Sequence, residues 1–285
     1  MEEHLDELGK IYWHEAHHEA LQLELHEYKD SLEFDDEFLL NKEALRMDTL
    51  IIKKNKDIQI DKNIGKIFRN HNIVEYKSET DSFSIWDYSK ILGYAHIYSS
   101  FEQVPLTDIT ISISLTIYPR ELIKTLEDER GYTIQDLGTG IYYVVGADFT
   151  IQILESKRMS ESENLFLRNL RSNLSSEDMY KTLLSYRERT ELNDKNVFIS
   201  RLAQANPKAY LEAIDMFSED LRELFLEGAE RYGWLDNYVD KKTIRIVQKM
   251  FLDGESVEKI AKWTELSAET VTTLVGEFER TSVAH

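Results

Sequence analysis

The sequence predicts a mixed α/β domain followed by an all-helical region, and three observations support this. Residues 109–118, ITISISLTIY, alternate apolar and polar side chains as a half-buried strand does. Residues 84–99 repeat apolar side chains with the period of a helix. Strand-like and helix-like segments alternate up to residue 157, and almost everything after residue 160 has helical periodicity. We therefore divide the chain into residues 1–157 and 158–285.

The elements of the first domain follow from local patterns. A helix is predicted from about residue 14 to 30, because its apolar residues recur at helical spacing. We then predict strands at 38–40, 46–53 and 72–78, a helix at 84–99, a strand at 109–118 that ends at Pro119, a helix at 120–129, and strands at 140–146 and 149–154. The predicted order is α–β–β–β–α–β, then α–β–β.

The helical region contains a helix-turn-helix-like pair near residues 254–278, with Ser267 as the predicted cap of its second helix. That helix offers mainly Thr and Glu, whereas base edges are usually read by Arg, Lys, Asn or Gln. We therefore expect the pair to pack on its own chain or on a protein partner. Self-association through this acidic C-terminal region is part of the same prediction.

Composition excludes several classes of protein. The 285 residues include no cysteine, which rules out a disulfide scaffold, a cysteine-ligated zinc site and a thiol nucleophile. No apolar run approaches the roughly 20 residues that a membrane helix needs. The acidic start, MEEHLDELGK, lacks the apolar core of a signal peptide. We expect a cytoplasmic protein that does not enter a membrane.

Charge argues against a protein that coats DNA. The chain has 34 basic and 53 acidic residues, a net charge of −19, whereas nonspecific DNA binding relies on basic side chains. The balance reverses locally, because residues 42–77 hold nine bases and five acids. This basic segment is the predicted local contact with DNA, although a merely solvated surface gives the same pattern.

Two acids and a lysine lie on neighbouring predicted strands. Asp48 interrupts the apolar run of the first, and Glu75 and Lys77 share one face of the second because they are two residues apart. If the strands pair antiparallel, Asp48 comes close to both. The candidate ligands of Mg²⁺ or Mn²⁺ are then Asp48, Glu75 and an acid of the preceding helix. Glu24 is the first choice for that acid and Glu27 the second. The alternative is a surface ion pair beside an unrelated aspartate.

The order of these residues resembles the PD-(D/E)xK nuclease-like superfamily, most closely its recombination-promoting nuclease and transposase group. The matching residues are Asp48 in RMDTLIIKK and the triplet Glu75-Tyr76-Lys77 in NIVEYKSE, and the resemblance covers roughly residues 10–157. One departure is Met47, which stands where the family pattern has proline.

The resemblance implies a fold, an activity and a further site residue. The fold is a restriction-endonuclease-like mixed sheet flanked by helices. The activity is metal-dependent cleavage of phosphodiester bonds in DNA, associated with recombination or mobile elements. Asp48, Glu75, Lys77 and Glu24 are the implied catalytic residues. The fifth lies on the helix after the motif and is Lys90, with Tyr88 and Tyr94 as the other candidates. A catalytically degenerate member would instead serve as an interaction module.

A second motif suggests another enzyme class. Residues 14–18 read His14-Glu15-Ala16-His17-His18, which matches the H-E-x-x-H pattern of zinc peptidases. On a helix, His14 and His18 share a face and Glu15 would be the general base. The sequence marks no third ligand. An exposed histidine-rich helix is the simpler interpretation, and the zinc peptidase is kept as the second alternative.

Overall fold

The structure, a computed structural model, describes residues 13–35, 50–55, 58–78, 82–192, 196–235, 241–264 and 266–283. The chain divides into two compact units, Met1–Trp234 and Leu235–His285. The first unit therefore extends well past residue 157, because the helices that follow the sheet belong with it. No helix among the described residues is long and apolar enough to cross a lipid bilayer.

Within the described ranges, seven strands form one mixed sheet in the order β1-β2-β3-β4-β7-β6-β5. They are β1 Leu32–Asp35, β2 Leu50–Lys54, β3 His71–Lys77, β4 Ile109–Leu115, β5 Thr133–Asp136, β6 Ile141–Val145 and β7 Thr150–Glu155. The central strands β3, β4 and β7 are parallel, and the other pairs are antiparallel. Strands β1 and β5 were not predicted, and the predicted strand at 38–40 lies outside the described residues.

Helices flank the sheet and continue beyond it. The first unit contains α1 Trp13–Glu24, α2 Ile85–Glu102, α3 Arg120–Asp128, α4 Glu161–Asn169, α5 Ser176–Arg189, α6 Val197–Ala205, α7 Pro207–Ile214 and α8 Glu219–Arg231; the second contains α9 Lys241–Leu252, α10 Val257–Thr264 and α11 Ala268–Val283. The prediction of a mixed sheet flanked by helices, followed by helices, is confirmed. Helix α1 ends before residue 30 and is followed by a short 3₁₀ turn.

The two faces of the sheet carry different side chains. The face of Ile73 and Ile111 packs in an apolar core with side chains of α2 and α3. The other face is more polar, but its groups bond to one another. Gln152 donates at 2.8 Å to both Ser112 Oγ and the backbone oxygen of Ile64. These bonds explain why all of β4 is buried although every second residue is polar.

Helix α1 contacts the more polar face of β3 and also contacts α4 and α6. The carboxylate of Glu19 accepts hydrogen bonds from the Phe198 backbone N–H and the Tyr186 hydroxyl. Both partners lie about 170 residues further along the chain. The N-terminal helix is thus held by the helices that follow the sheet.

Helix α2 runs antiparallel to β3, against which it packs. Its C-terminal part is fixed to the start of β3, because the Tyr98 hydroxyl lies 2.7 Å from Nδ1 of His71. Its first turn therefore lies at the opposite end of β3, beside Glu75 and Lys77. Ser84 caps this turn and forms a reciprocal capping box with Asp87.

The described residues of the second unit form a three-helix cluster with its own small core. Val247 of α9, Ile260 of α10 and Val271 of α11 are fully buried against one another. The helices α10 and α11 lie within the range where the sequence predicts a helix-turn-helix-like pair. Ser267 caps α11, since its hydroxyl accepts from the N–H of Thr270 at 3.0 Å.

Candidate functional site

Glu75 and Lys77 lie together at the carboxyl end of β3, on the face that packs against α2. Their side chains are 13% and 26% exposed, and Lys77 Nζ lies 3.7 Å from a Glu75 carboxylate oxygen. At that distance the two charges attract without sharing a short hydrogen bond. A mostly buried carboxylate beside an ammonium group is the pair that the sequence predicted on one face of this strand.

The neighbouring strand begins beside this pair. β2 and β3 are antiparallel as predicted, and Leu50, the first residue of β2, lies opposite Val74. The first residue of β2 therefore lies at the end of β3 that carries Glu75. Asp48 lies outside the described residues, so its predicted position near Glu75 and Lys77 stays a prediction.

Asp87 is a further carboxylate at this end of β3, and the sequence interpretation missed it. Burial raises its pKa, but hydrogen bonds from Ser84 and the charge of Lys77 outweigh that effect, so the pKa of Asp87 lies below its ordinary value. Its carboxylate accepts from the Ser84 N–H at 2.8 Å and from the Ser84 hydroxyl at 2.6 Å. The signal was available, since S-x-x-D before an apolar run is a capping pattern.

Lys90 lies on the outer side of α2, although the resemblance implied that it faces the site. The buried side chains of the helix are Tyr88, Ile91 and the residues in register with them, and Lys90 is exposed between them. Its Nζ lies 5.3 Å from the ring centroid of Tyr94. Lys90 therefore does not face Glu75 and Lys77.

Glu24 is also placed away from Glu75. It pairs with Lys62 at 2.8 Å and accepts hydrogen bonds from the backbone N–H groups of Phe166 and Leu167. These partners lie on the opposite face of the sheet, where α1 packs. Because the sheet separates it from Glu75, Glu24 cannot complete the same metal shell. Its role in the structure is to fix α4.

Bases of the predicted basic segment are partly used within the chain. Lys62 is the partner of Glu24, and Lys54 donates to the backbone oxygen of Ile58 at 3.2 Å. These two ammonium groups are therefore committed to internal contacts. Lys77 also belongs to this segment, and it lies next to the Glu75 carboxylate.

The residues near β3 fit a magnesium ion only in part. The described residues contain no group of three His, Asp or Glu side chains arranged to hold a metal. Mg²⁺ is usually held by one or two carboxylates together with water and substrate phosphate, so Glu75 would be one of its ligands.

The histidine motif lies on α1, as predicted, and packs against β3. His17 stacks on Tyr76 with ring centroids 4.3 Å apart, and His14 meets the same ring edge-on at 5.5 Å. Glu15 is turned toward Arg201 of α6, at 3.7 Å. Two rings of the motif thus pack on an aromatic side chain, and the required general base contacts another helix.

A polar cluster that was not predicted lies at the same end of the parallel strands, two strands away from Lys77. Tyr142 donates to Glu155 at 2.7 Å and also bonds to the Arg158 guanidinium. Gly140, with φ of +76°, allows this approach, since a Cβ there would lie 2.7 Å from the Glu155 backbone oxygen. The cluster joins β6 to the end of β7.

A cavity of about 620 Å³ opens beside Glu24 and Lys62, between α4 and α5. Its charges are largely paired, because Lys62 binds Glu24 and Lys181 binds Glu161 at 2.9 Å. The cavity thus presents little net charge to a ligand. It lies on the α1 side of the sheet and is separate from Glu75 and Lys77.

Comparisons with known proteins found no match. No protein-family model matches the sequence. Neither a curated protein nor a solved structure matches the chain.

Proposed function

We propose that this protein is a Mg²⁺- or Mn²⁺-dependent phosphodiesterase that cleaves DNA, with Glu75 and Lys77 in its active site. The observation that carries the proposal is the position of this pair on one face at the carboxyl end of β3, beside the start of antiparallel β2. The helix α2 and the parallel strand β4 follow, in the order that resembles the PD-(D/E)xK superfamily. The wider role in recombination or mobile elements rests on that resemblance.

Each residue of the pair has a distinct role. Glu75 would hold the metal ion together with Asp48 and oxygens of the substrate phosphate. The ion supplies a more acidic bound water and neutralises charge on the phosphate. Lys77 orients the attacking water or donates to the phosphate oxygens as negative charge builds on them. The Lys77 side chain is partly exposed and can reach such a substrate without unfolding of the strand.

Cleavage by variants tests the proposal. Wild-type protein should nick supercoiled plasmid DNA with Mg²⁺ or Mn²⁺ and be inactive in EDTA. Glu75→Gln and Lys77→Met should each lower the rate at least about 100-fold, since removing one electrostatic contact in an active site commonly costs that much. Asp48→Asn tests the proposed second ligand.

Glu102→Gln is the matched control, because it changes an exposed carboxylate at the far end of α2. Circular dichroism should show that all the variants remain folded. Equal cleavage by wild type, Glu75→Gln and Lys77→Met would reject the proposed site.

A second candidate function is an interaction module without catalysis. The observation that favours it is the exposure of two large apolar side chains in the C-terminal unit, Leu252 at 76% and Trp263 at 72%. Light scattering should then show a dimer that becomes a monomer in Trp263→Ala. A monomeric wild-type protein would reject self-association.

A further inference from the structure

The outer side of α2 carries aromatic side chains in one line. Trp86 is 80% exposed and Phe101 is 61% exposed; between them lie the exposed Lys90 and Tyr94, which is partly buried against the core. Spacings of four, eight and fifteen residues place all four on one side of a helix. We call them the α2 outer stripe. A tryptophan so exposed is unusual, since large aromatic rings are mostly buried.

The stripe begins at the candidate site. The bond between Tyr98 and His71 fixes the end of α2 at the start of β3, so the first turn lies at the end of β3 that carries Lys77. Trp86 is in this first turn, next to Asp87, whose carboxylate interacts with Lys77. A ligand on the Trp86 ring therefore lies close to the candidate catalytic pair.

The order of side chains fits nucleic acid better than an apolar partner. Lys90 follows Trp86 by one turn and precedes Tyr94 by another, a rise of about 6 Å each. Rings bind the faces of bases by stacking, and an ammonium group between them meets the phosphate that links two bases. Within the stripe itself there is no acidic side chain, although the whole chain carries 53 acids and 34 bases. The one charged side chain of the stripe is thus a base that can meet a phosphate, while the two acids of α2, Asp87 and Glu102, follow Trp86 and Phe101 in the chain.

We propose that the α2 outer stripe binds a single-stranded segment of nucleic acid, with a base stacked on Trp86. In a duplex the base faces are already stacked on one another, so an isolated ring favours single strands. The proposal rests on the proposed function for its link to cleavage, because it makes single-stranded or frayed DNA the preferred substrate. Binding to the stripe itself does not require catalysis.

Binding without turnover tests the stripe. Fluorescence anisotropy of a labelled single-stranded 20-mer, in EDTA, should show binding by wild-type protein and weaker binding of the same sequence as a duplex. Trp86→Ala should weaken single-strand binding about tenfold, and Trp86→Phe, which keeps a ring, by less than about threefold. Met216→Ala is the control, because it removes a large apolar side chain that is 50% exposed and lies after α7, away from α2. It should bind as wild type does.

Lys90 gives an independent measurement. Lys90→Gln should reduce the slope of log K against log[salt] by about 0.7, the value for one phosphate contact on a single strand. Trp86→Ala should leave that slope unchanged. An RNA 20-mer distinguishes the source of the ligand, and binding of either DNA or RNA that depends on Trp86 supports the stripe.

The failures of the two proposals are distinguishable. Normal binding by Trp86→Ala would overturn the stripe, even if Glu75→Gln abolishes cleavage. Wild-type binding that is equal for duplex and single strand would also overturn it. A change in oligomeric mass in Trp86→Ala, with nucleic-acid binding unchanged, would identify the stripe as a protein contact instead. Loss of binding in Trp86→Ala, with cleavage absent in all proteins, would support the stripe and reject the nuclease.

Discussion

The carboxylate of Glu24 lies 2.8 Å from Nζ of Lys62 and joins α1 to the kinked start of α4. One of its oxygens accepts from the backbone N–H of Phe166 at 2.9 Å and of Leu167 at 3.3 Å. Burial raises the pKa of Glu24 above its ordinary value, although Lys62 acts in the opposite direction. A carboxylate with three donors is a structural anchor.

Glu24→Gln should therefore lower stability and leave catalysis intact. Loss of the charge from a buried, hydrogen-bonded group is expected to cost about 1–3 kcal/mol in the free energy of unfolding, measured with urea. Glu27→Gln, an exposed neighbour, should change it by less than about 0.5 kcal/mol. If folded Glu24→Gln loses cleavage as completely as Glu75→Gln does, Glu24 belongs to the site after all.

His17 should make stability depend on pH. Burial lowers the pKa of His17 well below 6.5, and the neighbouring His18 and His14 act in the same direction. As pH falls through about 6.5, the unfolded chain takes up a proton that the folded chain excludes, so stability decreases by up to about 1.4 kcal/mol per pH unit. His17→Phe keeps a ring against Tyr76 and should reduce this slope.

Urea unfolding between about pH 5 and 8 measures the effect of His17. His96→Phe, on the exposed side of α2, is the control and should keep the wild-type slope. An unchanged slope in His17→Phe would show that the ring gains a proton in the folded state.

Gly140 and Gly138 form a matched pair of substitutions. Both have positive φ, +76° and +78°, but a Cβ at Gly138 meets open space whereas one at Gly140 would lie 2.7 Å from the Glu155 backbone oxygen. Gly138→Ala should cost about 1 kcal/mol for its backbone conformation. Gly140→Ala should cost at least about 2 kcal/mol more, because β6 and β7 must separate. Equal thermal stability of the two variants would contradict this.

Asp87→Ala should loosen the start of α2. Loss of the capping box with Ser84 is expected to cost about 0.5–2 kcal/mol. Because the folded pKa of Asp87 is lowered, the stabilisation is present above its unfolded pKa of about 3.9 and is lost as pH falls below it. A double-mutant cycle with Ser84→Ala measures the coupling, and additive effects would exclude the capping box as its source.

Local patterns predicted the central part of the fold. Strands β3 and β4 lie close to the predicted ranges, since alternation over seven residues is a local signal. The antiparallel pairing of β2 and β3 is confirmed as well. Strand β5 was missed because its four residues, TIQD, are mostly exposed and carry little apolar pattern.

The site was harder to predict because its contacts are distant in sequence. Glu24 contacts residues 62 and 166–167, and no sequence pattern near Glu24 indicates these contacts. Lys90 is different, because its outward position follows from the register of Tyr88 and Ile91 in the same helix. The family resemblance implied that Lys90 faces the site, whereas the helical register places Lys90 on the outer side.

The contacts of α1 have a consequence for how the chain folds during synthesis. Glu19 bonds to Tyr186 and Phe198, so this helix must wait for nearly 180 further residues before its partners leave the ribosome. Contacts of such separation slow folding, and apolar surface stays exposed in the interval. A chain cut after residue 157 would keep α1 but lack α4 and α6, and we expect it to aggregate.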